Sequence, residues 1–122
     1  MSYSAYTQTQ NRTVAAPRDV EYRLLGTVTA ALLDSSTQVE DVKKRVESVC
    51  WNRDVWSTFR RDLMHQQNSL PQTLRDELVK LSRWVDRETF QILSGDDKDL
   101  TALIDVNKNI MNGLKAHIEG EV

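Results

Sequence analysis

From Val20 to Leu114 apolar residues return at three- and four-residue steps, and little interrupts them: the 122 residues hold only four glycines and two prolines. A strand-and-turn fold needs turn residues at each reversal, so a chain this poor in them is built from long helices. Sorted by period and punctuation, the chain falls into four amphipathic segments and an N-terminal arm.

The arm, residues 1–16, is rich in Ser, Thr and Gln; Tyr3 and Tyr6, three apart, are its large apolar groups. It reads either as a frayed tail or as a docked arm with both rings on one helical face. A helical domain over 17–118 follows. Its first helix is expected over 17–33, opened by Pro17, striped by Val20, Leu24, Val28 and Leu32, and ended by the DSST stretch at 34–37. A second is expected over 38–66, started by a capping box of Thr37 and Glu40, with a stripe of Val39, Val42, Val46, Val49, Trp56, Phe59 and Leu63. A third, over 70–94, has Asn68 or Ser69 as cap and Pro71 in its first turn. Its stripe is Leu74, Leu78, Leu81, Val85 and Ile92, with Trp84 on the shoulder and Gly95 as the stop. The fourth, over 97–116, follows the Asp96–Asp97 cap and carries Leu100, Leu103, Asn107, Ile110 and Leu114. Short connections favour antiparallel neighbours, so the expected fold is all-α, a compact bundle of about four amphipathic helices.

The chemistry of catalysis is missing from this pattern. His65 and His117 stand at no metal-ligand spacing, and the Asp96, Asp97, Asp99 cluster lacks the alternation and terminal glutamate of a calcium loop. Cys50, the single cysteine, excludes an intrachain disulfide and sits between Val49 and Trp51, where a thiol is inert filler. No glycine-rich phosphate loop exists, and an enzyme or a cofactor is not expected. A net charge of −2 supplies no cationic field for nucleic acid or anionic lipid. With no signal peptide and no run of eighteen apolar residues, a cytoplasmic protein is expected.

Two oddities remain on the helical faces. Trp51 and Trp56 lie five apart in CWNRDVW, about 140° around a helix at about 100° per residue. Trp56 fits the core stripe; Trp51 is displaced from it and must pack elsewhere. Asn52 and Asn107 fall inside apolar stripes, where a buried amide needs hydrogen-bond partners. Such a pair either fixes which helices meet and in what register, or marks a groove that a partner fills.

SYSAY, RDVEYRLLGTVTAAL, WNRDVWSTF, LPQTLRDELVKLSRWVDRET and LIDVNKNIMNGL, in this order and over nearly the whole chain, resemble the FlaF family of flagellar biosynthesis regulators. That resemblance implies a small helical cytoplasmic protein, without enzymatic activity or cofactor, that controls flagellin production and export. It implies flagellin as a chaperone-like client and the companion regulator FlbT, which acts on flagellin mRNA translation, as an opposing factor. The mechanism expected is helix-in-groove binding of an amphipathic flagellin segment. Trp51, Trp56 and Trp84 are the candidate anchors, with Asn52, Arg53 and Asn107 as polar contacts. The alternative is post-transcriptional control, through FlbT or by direct RNA contact of Lys43, Lys44, Arg53, Arg60 and Arg61. The acidic residues Glu40, Asp41, Glu47, Asp54 and Asp62 on that same helix count against direct RNA binding. A third reading is a homodimer whose groove is filled by its twin or by the Tyr3/Tyr6 arm.

Overall fold

The structure, a computed structural model, describes residues 18–95 and 99–118. They form four helices and no strand: α1 (Arg18–Ser36), α2 (Val42–Leu63), α3 (Gln72–Leu93) and α4 (Thr101–Ile118). The N-terminal arm with Tyr3 and Tyr6, Pro17 and the Asp96–Asp97 cap lie outside the described residues.

Each helix runs antiparallel to the one it packs against. Gly26 and Thr29 of α1 meet Met111 and Asn107 of α4, and Arg60 and Leu63 of α2 meet Asp86 and Arg75 of α3. Main pairings join α1 to α4, α1 to α2, and α2 to α3. Side chains from Asn107 also reach α2, so α1, α2 and α4 surround one core and α3 lies against the outer flank of α2. Leu25, Val28, Leu32, Val49, Val55, Trp56, Phe59, Leu63, Leu103 and Leu114 fill that core. Burying an aliphatic side chain of this size stabilises the fold by about 1.5–3 kcal/mol. Trp56 and Phe59, three apart on α2, stack edge to face at 5.6 Å.

Helix ends depart from the sequence expectation where a hydroxyl or amide has a use the local rules do not foresee. α1 continues through Ser36 instead of stopping at 33. Ser35 Oγ contacts the Ala31 and Leu32 carbonyls and, at 2.7 Å, the hydroxyl of Ser48, so the serine satisfies itself within the helix and ties α1 to α2. The Thr37/Glu40 capping box does not form. Thr37 Oγ1 donates back to the Asp34 carbonyl, and α2 starts later, with Asp41 at its N-cap accepting from the Lys44 N–H at 3.0 Å. Residues 37–41 are turn, which leaves Val39 and Val42 exposed rather than in the core.

Neither Asn68 nor Ser69 caps α3. Pro71 holds the N-cap position with no side-chain bond, while Asn68 braces the preceding turn by donating to the Asp62 carbonyl and carboxylate. The buried face of α3 is also rotated from the leucine stripe: Ser82, Val85, Glu88, Thr89 and Ile92 face inward, Leu78 and Leu81 are half-buried and Leu74 is exposed. Arg60 of α2 reaches across to α3, donating to Ser82 and to Asp86 at 2.9 Å. Gly95 does terminate α3, at φ 88°, a conformation that favours glycine.

Candidate partner-binding site

The asparagines in the stripes meet. Asn107 of α4 accepts from the Trp56 indole N–H at 2.8 Å and donates through Nδ2 to Thr29 Oγ1 (3.0 Å) and Asn52 Oδ1 (2.7 Å). Asn52, Trp56 and Asn107 are fully buried and Thr29 nearly so. One amide thus uses its acceptor and both donor hydrogens on α1 and α2 at once, in a region where an unmade bond is expensive. Asn52 Nδ2 finds no partner among the described groups. Three of the six candidate contacts, Asn52, Trp56 and Asn107, therefore stand inside the core and offer no surface in this arrangement. Thr29, which the sequence reading did not single out, completes their network; it lies four residues from Leu25 on the buried face of α1.

Trp51 is placed differently. Its displacement around α2 carries the half-buried indole to the α1–α2 seam, where it forms part of a groove of 610 Å³. Ala31, Ser48 and Cys50 make the floor and walls with it, and Asp34, Lys44, Glu47 and Asp54 make the rim. The indole Nε1 is buried and has no hydrogen-bond partner among the described groups, so Trp51 presents ring carbon to the groove and not its N–H. Lys44 pairs across the seam with Asp34, which leaves the rim net acidic. None of these rim residues except Lys44 was picked out from the sequence. The signal available there was the angular displacement of Trp51, which locates a seam without saying which helix forms its other wall.

Trp84 is half-buried against the core on α3. Arg53 is partly exposed, its Nε 3.8 Å from Asp54. The basic residues considered for RNA do not gather into a one-sign stripe. Lys43 stands 3.9 Å from Glu47, Lys44 pairs with Asp34, and Arg60 is engaged with Asp86 and Ser82; Arg61 reaches back to Thr58. Among the described residues no group of three or more His, Cys, Asp or Glu side chains is placed to hold a metal, and no helix is long and apolar enough to cross a membrane.

Fold and surface together define a small all-α bundle protein whose distinguishing feature is a tryptophan-lined groove between two helices. Residues 2–114 match the family described as flagellar protein FlaF, and the chain belongs to that family of flagellar proteins. No curated protein and no solved structure matches the chain.

Proposed function

We propose that this FlaF-family chain is a non-enzymatic, cytoplasmic regulator of flagellin synthesis and flagellum assembly, acting as a flagellin-binding chaperone or adaptor through the α1–α2 groove. The observation that carries the reading is the Trp51-lined apolar groove at the α1–α2 seam, bordered by a charged rim. A bound segment supplies apolar side chains for the Ala31–Trp51 wall and polar groups for the charged rim. An amphipathic helix laid along the seam offers both on adjacent turns. Desolvated indoles flanked by excluded water are the kind of anchor that dominates binding energy in such interfaces. Holding a flagellin segment this way blocks its premature association.

Co-purification with flagellin truncated at either end, beside a gel shift with flagellin leader RNA, tests the reading. Removal of one flagellin end should abolish capture, and Trp51→Ala should weaken it by about 2 kcal/mol or more, a loss on the order of thirtyfold, read at a temperature where circular dichroism shows the variant folded. RNA retention by the purified chain, or undiminished flagellin capture by Trp51→Ala, would overturn it.

A further inference from the structure

A second surface lies on the opposite flank of α2, toward α3. Five large apolar side chains are exposed there: Val39 (70%), Val42 (65%) and Val46 (41%) at the start of α2, and Phe90 (71%) and Leu93 (38%) near the end of α3. The three valines and Leu93 border a groove of 620 Å³ floored by Ile92 and Leu100. Phe90 stands one turn before Leu93, on the same side of α3, as a knob beside the groove.

We propose that this face is a homodimer interface in which a second copy of the chain seats its Phe90 in the Val39–Val42–Val46–Leu93 groove and receives the first copy's Phe90 in return. A knob and a hole side by side on one face are self-complementary under a two-fold axis, the arrangement of an isologous contact. The area agrees too. The five side chains present on the order of 450 Å² of surface, against about 800 Å² per partner in a stable dimer, of which about 65% is apolar. A patch of that size lies within the roughly 300–600 Å² of the largest apolar patch on a typical monomer, which is often functional. The inference is independent of the flagellin reading, which uses the other flank of α2.

Sedimentation of the full chain across a concentration series reads the outcome directly. The wild-type mass should rise from 14.0 kDa toward twice that value. Phe90→Glu and, separately, Val42→Glu should each raise the dissociation constant at least tenfold, with far-UV circular dichroism unchanged and melting unchanged at concentrations where the wild type is monomeric, because both side chains are exposed. In a Cys50→Ser background, mixing the Val42→Cys and Phe90→Cys chains should give disulfide-linked dimer faster than either chain alone. A mass that stays at 14.0 kDa throughout, or a dimer that survives Phe90→Glu, overturns the proposal. So does a monomer whose capture of flagellin is lost with Phe90→Glu, since the face then belongs to flagellin rather than to a twin.

Discussion

Replacing Asn107 by leucine removes the one group that links α4 to both α1 and α2 by hydrogen bonds, and the structure sets the size of the loss. The Trp56 N–H and Asn52 Oδ1 both lose their partners at positions with zero exposure, while the Thr29 hydroxyl loses a donor it can do without. Each orphaned buried group costs about 1–3 kcal/mol, partly offset by the added apolar volume, so Asn107→Leu should destabilise by about 3 kcal/mol. A chain of this length has a stability of roughly 6–18 kcal/mol, so the loss is a large fraction of it. Trp56→Phe keeps a six-membered aromatic ring but deletes the five-membered ring with its N–H, stranding Asn107 Oδ1 and leaving a small cavity, and should cost about 3–4 kcal/mol. In the double variant the donor and acceptor disappear together. Its loss should therefore fall short of the sum of the singles by about 2 kcal/mol. Urea unfolding followed by far-UV circular dichroism, which does not depend on the substituted indole, measures all three; an unchanged slope with denaturant confirms that stability alone has moved. Additivity within about 0.5 kcal/mol would refute the claim that this bond is made in the core.

Asn52→Leu removes one bond to Asn107 but also removes the Nδ2 that has no partner, so its cost should stay below about 1 kcal/mol in the same urea assay. Asp41→Ala should cost about 1 kcal/mol through loss of the α2 cap, whereas Glu40→Ala should change stability by under about 0.3 kcal/mol; the reverse order would restore the Thr37/Glu40 capping box. Gly113 sits inside α4 with nothing within 4 Å of an added Cβ, so Gly113→Ala should raise stability by about 0.5–1 kcal/mol. Gly95→Ala, at φ 88°, should instead lower it by about 1–2 kcal/mol, visible as melting shifts of opposite sign.

The number of helices, their order and most of the core were legible because an amphipathic period reports which side of a helix avoids water, whatever it packs against. Val28, Val49, Trp56, Phe59, Val85 and Leu103 are buried as their spacing implies. The period also set Trp51 apart from Trp56. It failed at the start of α2 and along α3. Val39, Val42 and Val46 continue the stripe in sequence, yet α1 and α3 do not cover that end of α2, so the same side chains become surface. On α3 only Val85 and Ile92 of the stripe are buried; Ser82, Glu88 and Thr89 complete the inward face, and an apolar period does not count polar residues.

What the sequence determined by itself was local: four amphipathic helices, the stop at Gly95, the absence of catalytic spacings and, through its motifs, the family. What only the tertiary structure decided was which polar groups meet. Asn52 and Asn107 are 55 residues apart, and nothing in their spacing says that Asn107 would take Trp56 and Thr29 as well. Helix period encodes a direction about one axis; a hydrogen bond between three helices depends on their separation, register and rotation together. The same reason made the α1–α2 groove invisible before folding, since one of its walls belongs to a helix that Trp51 does not share.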